Sequence, residues 1–406
     1  MAVAQGIRKQ TNYKVQSALG TPATGSGGQT LRRNSSVFSY DRDTFETDEI
    51  VTHQQSTGVG YGVIKANGKI DGLLSCTTWD TLLQALLRAD FVATAAIASL
   101  TLTIAASGSD YTITRSAGDF LTGGIKAGDV IRLTGGSLNA NNVGKNALVL
   151  SLTATVLTVR VLGAGLTMTA ESAIVGCTVT VTGKKAKPPL TGHTNYYWTI
   201  EEWFADLLRS EKFTDCQIAK ADIALPSTGN ATISLDVLGL GMVAGGSQIL
   251  TTPTAETTTS VLTAVNGLVV VNGTVVANCT GATLMIDGRM KHGDAVIGSN
   301  NLIDIDKGKI AVSGSFSALF DSDTISALYR AETPISLMLV VTDDETADAD
   351  FVTFTLGRIK LTGNAPDDGE KGIVRNYPFV AELNSAGGTS LAWDQTIITV
   401  QDSLAA

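Results

Sequence analysis

The chain has 406 residues, of which 44% are hydrophobic and 17% charged, with 42 glycines and a formal net charge of -9. This length favours two domains, and the wealth of Gly, Ser and Thr favours many short strands joined by tight turns. No apolar run reaches the roughly 20 residues of a membrane span. The longest candidate, 267–276, is broken by Asn272 and Gly273, so we expect a soluble protein.

The N-terminal segment contains Arg8, Lys9 and Lys14 but no apolar core of a signal peptide, which predicts that the chain stays in the cytoplasm where it is made. Residues 1–40 are rich in Gly, Ser and Thr without apolar periodicity, and we expect them to form an arm. The cysteines lie far apart, without CxxC spacing or a nearby His, and are predicted to be reduced core residues. They are Cys76, Cys177, Cys216 and Cys279.

Strand patterns come next in the chain, at 37–50 and 61–74, the second with a turn signal at Asn67-Gly68. A helix is predicted over 79–87, after Ser75 and Thr77 as possible caps, because its apolar residues repeat at i, i+3, i+4, i+7 and i+8. This single apolar stripe should pack on a sheet.

From residue 93 to 187 the pattern changes to short Thr/Val/Leu strands separated by Gly, which predicts a small β-barrel or β-sandwich inserted in the chain. The run KKAKPP at 184–189 is predicted to be the exit linker. Longer strands follow at 196–204, 217–225, 230–238, 282–287, 309–320, 335–342, 351–362 and 374–383. The strand at 309–320 alternates between apolar residues and serines, which is typical of a sheet with one buried side. A short helix is predicted at 322–331.

The predicted fold is mainly β, an antiparallel two-sheet sandwich or barrel with a flanking α-helix, interrupted by the small β insertion. The predicted divisions are an arm at 1–40, a core domain at 41–92 and 188–385, an inserted domain at 93–187 and a C-terminal extension at 386–406.

Signals for catalysis, metal binding and cofactor binding are weak. His53, His193 and His292 belong to no catalytic or metal-binding motif. The GxGxxG/A match at 239–244 has no helix after it to receive a pyrophosphate. The acid cluster at 343–350 lacks EF-hand spacing, so a solvated hairpin tip is favoured over a Ca²⁺ loop. A turn is expected at 367–369. We therefore predict no enzyme, no cofactor and no metal.

Charge is unevenly distributed along the chain. Residues 321–371 contain 11 acidic and 4 basic residues, and basic patches interleaved with aromatic residues are missing. Stable nucleic-acid binding needs Lys and Arg to displace counterions from phosphates. The acidic segment is therefore expected to repel nucleic acid.

Several segments, taken in order, resemble phage tail tube proteins of long, flexible-tailed phages. In the first half they are GTPATGSGGQTLRRNSS (20–36), FETDEI (45–50) and GKIDGLLSCTTWDTLLQALL (68–87). In the second half they include YYWTIEEWF (196–204), VIGSNNLIDIDKGKIAVSGSFSALF (296–320) and FTLGRIKLTGNAPDDGEKGIVRNYPFVAEL (354–383). The segment at 118–136 is similar to small β modules inserted in some members, which would decorate the exterior of the tube.

The resemblance implies two packed antiparallel sheets with a flanking helix, assembled into stacked hexameric rings that form the tail tube and conduct DNA during ejection. Neighbouring sheets would join edge to edge around the channel. The implied partners are the chain itself, a tape-measure protein, a tail-tip initiator and a tail terminator, with DNA as a passenger and no membrane. The location would be the virion tail, after assembly in the host cytoplasm.

The segments expected to make ring-to-ring contacts are the arm and residues 45–59, because segments that are flexible in the monomer can order on assembly. The candidate residues are Arg32, Arg33, Phe45, Glu49 and Ile50. The acidic excess suggests a negative channel lining, although the sequence assigns no residue to it.

Two other readings stay open at this stage. The inner tube of a contractile injection machine shares the fold and would need a sheath partner. A β-sandwich adhesin or carbohydrate-binding module could have this composition, but it should carry a secretion signal and clustered aromatic residues.

Overall fold

The computed structural model describes residues 3–367 and 370–405, over which the fold is mainly β. The predicted turn at 367–369 falls largely on Asp368 and Gly369, which lie outside the described residues. The N-terminal elements are β1 (Lys9–Val15), β2 (Gln29–Thr30), β3 (Ser35–Glu46), β4 (Val59–Leu73) and α1 (Asp80–Leu87). Next come β5 (Ile97–Ser107), β6 (Asp110–Arg115), β7 (Val130–Gly135), β8 (Ala147–Leu152), β9 (Val156–Val161) and β10 (Glu171–Val181).

The remaining elements complete the large sheet system. They are β11 (Lys184–Ala186), β12 (Trp198–Phe204), β13 (Arg209–Pro226), β14 (Thr232–Gly239), β15 (Gly241–Gly245), β16 (Thr263–Val271), β17 (Thr274–Val275), β18 (Cys279–Asp287), β19 (Lys291–His292), β20 (Ile305–Asp306), β21 (Ala311–Leu319), α2 (Thr324–Arg330), β22 (Ile335–Thr342), β23 (Phe351–Leu361), β24 (Ala365–Pro366), β25 (Val374–Ala381) and β26 (Thr399–Asp402). The strands predicted after residue 196 are all present, with shifted ends.

One antiparallel sheet has the order β3-β4-β14-β13-β18-β21-β25. Its inner face packs on a second layer, which is formed by β1, β12, β15 and the first half of β13. Helix α1 lies in the core with Leu82, Leu83 and Leu86 buried. The predicted helix and its packing on a sheet are thus confirmed. Its single apolar stripe is buried because a short helix gains most of its stability from tertiary packing.

Strand β13 belongs to both layers. Its first half pairs with β12 and β15, and its second half pairs with β14 and β18. The change falls at Asp215, which has a left-handed φ of 55° and accepts hydrogen bonds from Gln16 Nε2 at 2.8 Å and from the Gly20 amide at 2.6 Å. These contacts offset the cost of the unusual backbone angle.

The predicted turn at Asn67-Gly68 is wrong, because β4 runs without a break through both residues. Gly68 is needed for close packing instead. A Cβ at this position would lie 2.2 Å from Cε1 of Phe38 on the neighbouring strand, and the Phe38 ring is stacked on Phe213 at 4.8 Å. Glycine inside a strand often marks such a close approach.

The structure also differs from the expected arm at the N-terminus. Strand β1 pairs with β12 over its whole length, and Thr11 and Asn12 are fully buried. Because its side chains are polar, this strand lacks the apolar periodicity by which strands are recognised in a sequence. Asn12 is satisfied in the core by Thr30 Oγ1, which donates to it at 2.9 Å, as buried polar groups must be.

Strands β5 to β10 form a closed barrel in the order β10-β5-β6-β9-β8-β7. Its core continues into β22, which is buried on both faces. Leu337, Leu339 and Val341 point into the main core, whereas Met338 and Val340 pack with the barrel residues. A strand buried on both faces reads as the continuous apolar run seen here.

Polar contacts also fix the barrel to the main fold. Lys185, expected in an exit linker, lies instead in β11 and pairs with Asp129 of the barrel at 2.8 Å, with both side chains buried. Burial alone lowers the pKa of Lys185, but Asp129 and Asp394 outweigh it and raise the pKa above its usual value. The nearby Lys126 Nζ donates to the carbonyls of Gly388, Thr389 and Leu391.

The segment predicted as a C-terminal extension contributes to this junction. Strand β26 lies between β11 and β23 and is completely buried. Its Gln401 side chain accepts from the Val130 amide at 2.9 Å and donates to the carbonyls of Val130 and Thr182. One side chain therefore binds the start of β7 and the residue after β10, which are neighbouring strands of the barrel.

Replacing Lys185 tests this junction. We expect Lys185→Met to lower the free energy of unfolding by about 3–5 kcal/mol, because it leaves the Asp129 carboxylate buried without its cation. Urea unfolding measures the loss, with Lys184→Met on the same strand as the control. Adding Asp129→Leu to Lys185→Met should recover much of the stability, and a Lys185→Met protein as stable as the wild type would contradict the assignment.

A second test concerns a buried acid pair at the start of α1. Asp402 accepts the amides of Thr77 at 2.9 Å and Leu404 at 2.7 Å and is hydrogen-bonded to Asp80. Burial, together with the charge and hydrogen bond of Asp402, raises the pKa of Asp80 well above its usual value. A raised carboxyl pKa gives stability that is present at low pH and is lost as pH rises through it.

We therefore expect the stability of the wild type to fall as pH rises above the ordinary range of a carboxyl group. Asp80→Asn should remove this part of the pH dependence, since an amide donates the same hydrogen bond without ionising. Urea unfolding measured from pH 5 to 9 provides the comparison, with the exposed Asp321→Asn as the control. Equal pH profiles for Asp80→Asn and the wild type would disprove the role of Asp80.

Candidate assembly surfaces

The outer face of the sheet from β3 to β21 is covered by polar side chains, and we call it the polar face. Its residues are Asp41 of β3; Lys65, Asn67, Lys69 and Asp71 of β4; Ser234 and Asp236 of β14; Lys220 and Asp222 of β13; Thr283 and Asp287 of β18; and Ser313, Ser315 and Ser317 of β21. These include five aspartates and three lysines. Because strand side chains alternate between faces, the residues between them form the apolar core.

Hydrogen bonds across the strands keep this face ordered and ionised. Asp71 accepts from Ser35 Oγ at 2.7 Å and from Ser234 Oγ at 2.6 Å. Burial alone would raise the pKa of Asp71, but these hydrogen bonds and the charge of Lys69 lower it below the usual value. Lys220 and Asp222, which both lie on β13, form an ion pair with a distance of 2.7 Å. The polar face therefore keeps a net negative charge at neutral pH.

The sheet bearing the polar face has an open edge at β3, whereas at its other end β25 pairs with the last residues of β23 and with β24. Among the described residues, β3 has a strand partner on one side only, along all twelve of its residues. At the opposite edge, 362–367 runs along β25, with the Thr362 amide bonded to the Pro378 carbonyl and the Asp367 amide to the Val374 carbonyl, at 2.8 and 2.7 Å. Unpaired strand edges are templates for pairing with another chain.

Strands β3 and β4 extend beyond the rest of the sheet as a hairpin. We call residues 45–59 the hairpin tip. It exposes Phe45, at 63% of its surface, and Ile50 almost completely. Glu46, Asp48 and Glu49 are exposed beside them. An apolar and acidic projection of this kind is a candidate contact surface rather than part of the core.

The structure separates the five predicted contact residues into two groups. Phe45, Glu49 and Ile50 lie in the hairpin tip, whereas Arg32 and Arg33 precede the other end of β3. Both arginines are half-buried and bonded within the chain, Arg32 to the Thr259 carbonyl and Arg33 to the Lys9 carbonyl. The neighbouring Arg8, which is exposed, was not among the predicted contact residues.

The acidic residues of 321–371 do not gather on the polar face. Asp323 pairs with Arg330 across α2. The cluster at 343–350 forms the β22–β23 hairpin tip, which contacts the barrel: Asn146 donates to the Ala349 carbonyl at 2.7 Å and Arg132 to the Asp348 carbonyl at 2.9 Å. The GxGxxG/A match ends β14 and forms β15, a strand rather than a helix.

Two further observations concern other kinds of site. Among residues 3–367 and 370–405, no group of three or more His, Cys, Asp or Glu is placed to hold a metal ion. No helix in the same ranges has both the length and the apolar character needed to cross a membrane. His53 and His193 are exposed, and His292 is hydrogen-bonded to the Gly239 carbonyl at 3.0 Å.

Comparison with known proteins agrees with a structural role. Residues 191–382 match the family model of the phage tail tube protein. The matched range runs from just before β12 to just after β25 and includes most strands of the sheet that bears the polar face. A search of curated proteins gave no match. The family match supports a structural tail tube protein.

The close packing of Gly68 against the Phe38 ring can be tested by substitution. We expect Gly68→Ala to destabilise the fold by about 1–3 kcal/mol, because the added methyl group displaces the Phe38 ring from its stack on Phe213. Gly58→Ala is the matched control, since no atom lies within 4 Å of a Cβ placed there. Thermal unfolding of both variants compares them, and equal melting temperatures would rule out the close-packing role.

Proposed function

We propose that this chain is the subunit of the tail tube of a long, non-contractile phage tail, and that it polymerises into stacked hexameric rings through which DNA is ejected. The observation that carries this proposal is a sheet with one apolar face, one polar face and an unpaired strand edge along β3. Such a sheet can join copies of itself without opening its core. The match to tail tube proteins over 191–382 supports the same role, which is structural rather than enzymatic.

Lateral joining would use the edge of β3 and the segment 362–367. The edge of β3 in one copy pairs with the edge at 362–367 in its neighbour, which satisfies backbone groups that face solvent in the monomer. Pro366 lacks an amide hydrogen and shortens the second edge. A closed ring of such pairs leaves no edge open, and this favours a defined number of copies over an open-ended sheet.

The polar face would line the channel. Its excess of aspartates over lysines repels phosphates weakly, and its many Ser and Thr hydroxyls keep it hydrated, so DNA can pass without being held. Barrel residues pack on the face of β22 that points away from the main core. A domain inserted at 93–187 would then decorate the tube exterior.

The remaining partners follow from the geometry of stacking. Head-to-tail contacts between rings propagate without limit unless another component stops them. We therefore include in the proposal a tail-tip initiator, a tape-measure protein that sets length and a tail terminator. Assembly would take place in the cytoplasm of the host bacterium, and the final location would be the tail of the virion.

Electron microscopy of the purified chain, concentrated over several days, tests the proposal. We expect six-fold rings or hollow tubes, and a reconstruction should place β4, β14 and β13 around the channel and β5–β10 outside. Two outcomes would contradict it: a chain that stays monomeric at every concentration and ionic strength, or a closed oligomer whose polar face is buried away from any channel.

A further inference from the structure

The hairpin tip and a cleft near the start of β3 have opposite charge. The cleft has a volume of about 570 Å³, and its lining includes Ile7, Arg8, Lys9, Arg33 and Glu256. We call it the basic cleft. We infer that the hairpin tip of one copy binds in the basic cleft of the next copy along the tube. This inference rests on the proposed function and identifies the two surfaces that would join successive rings.

The hairpin tip has unpaired negative charge. Glu46, Asp48 and Glu49 are exposed, and none forms an ion pair with another described residue. Only Glu49 has a side-chain partner, Thr57 Oγ1 at 3.3 Å. Hydrogen bonds between Thr47 and both Thr57 and Gly58 hold the base of the loop together. The acids are therefore presented on an ordered base and available to a cation.

The lining of the basic cleft contains three basic residues and one acidic residue. Lys9 is occupied by Glu202 at 2.6 Å. The Arg8 side chain is exposed and makes no hydrogen bond or ion pair with a described residue, and the Arg33 side chain donates only to the Lys9 carbonyl. Glu256 is the acid that lines the cleft beside them. A carboxylate entering here would meet two guanidinium groups that can bind it by bidentate hydrogen bonds.

Apolar groups accompany the charges on both surfaces. Ile50 is fully exposed in the hairpin tip, and Ile7 is 94% exposed beside the basic cleft. Exposed isoleucines next to charges are typical of contact surfaces with an apolar centre and a polar rim. The two surfaces are therefore complementary in polarity as well as in charge.

The two surfaces lie at opposite ends of one strand, as a head-to-tail contact requires. The β3 register runs from Ser35 opposite Asp71 to Glu46 opposite Val59. Eleven residue steps of about 3.3 Å separate these ends by roughly 36 Å. The cleft is fixed at the first end, because Lys9 Nζ donates to the Ser36 carbonyl at 2.7 Å.

Translation of a copy along β3 thus brings its hairpin tip toward the basic cleft of the next. Unlike surfaces that meet in this way form a heterologous contact, which continues from ring to ring. Two tips facing each other would bring six carboxylates together, so the charge pattern also fixes the direction in which rings stack.

Charge reversal in the full-length chain tests the inference. The tip variant carries Glu46→Lys, Asp48→Lys and Glu49→Lys, and the cleft variant carries Arg8→Glu and Arg33→Glu. We expect each to raise the protein concentration needed for tube formation at least about tenfold, since each replaces several attractive pairs by repulsive ones. A chain with both sets of changes should recover tubes, because the charges are complementary again.

Sedimentation and electron microscopy at several salt concentrations provide the readout. The control is Asp321→Lys, Glu345→Lys and Asp348→Lys, which changes the net charge as the tip variant does but at exposed positions elsewhere. Tubes from the wild type and the tip variant at equal concentration would overturn this inference and leave the proposed function intact. Failure of the combined variant to recover, with each variant folded by circular dichroism, would also overturn it. Absence of rings and tubes in the wild type would instead remove the proposed function itself.

Discussion

The architecture depends on one strand that belongs to two layers. Because β13 pairs with β12 and β15 in its first half and with β14 and β18 in its second, the two layers cannot slide past each other. The bend at Asp215 is maintained by hydrogen bonds from the N-terminal segment, through Gln16 and Gly20. The orientation of the polar face relative to the core is set by this bend, since β13 contributes to both.

The barrel is coupled to that architecture through shared burial. Met338 and Val340 complete the barrel core, while Leu337 and Leu339, on the same strand, complete the main core. The buried Lys185–Asp129 pair adds geometric restraint, because separating its charges inside the protein would be costly. A barrel attached in this way can project from an assembly in one fixed orientation rather than swing on a linker.

The surfaces left for assembly are those that the fold does not use internally. The apolar faces of the sheets are buried in the main core and against the barrel. The surfaces that remain available for assembly are the polar face, the edge of β3 and the hairpin tip. Most of the basic residues that might have bound nucleic acid are engaged within the chain: Lys126 and Lys185 are bonded at the barrel junction, and Arg132 and Arg160 bond within or beside the barrel. This distribution agrees with the proposed assembly, in which copies of the chain bind one another and DNA passes without being held.

The sequence by itself determined the mainly β class, helix α1 and the strands with regular apolar periodicity, such as β21 and β22. These elements are decided by local side-chain patterns, which a short window contains. Residues 45–59 were also named from the sequence, as a segment expected to be flexible in the monomer and to order on assembly, but the strand predicted over 37–50 ends at Glu46.

Tertiary structure alone decided the features that depend on residues distant in the chain. Strand β1 is polar yet buried, because it pairs with β12 and its Asn12 side chain accepts a hydrogen bond from Thr30. Gly68 predicts a turn from sequence, whereas in the structure it allows the close approach of the Phe38 ring. Lys185 was predicted to lie in a linker, whereas the fold brings it beside Asp129, 56 positions away in the chain. Propensity and periodicity describe only neighbours along the chain, whereas burial, close packing and charge pairing arise from neighbours in space.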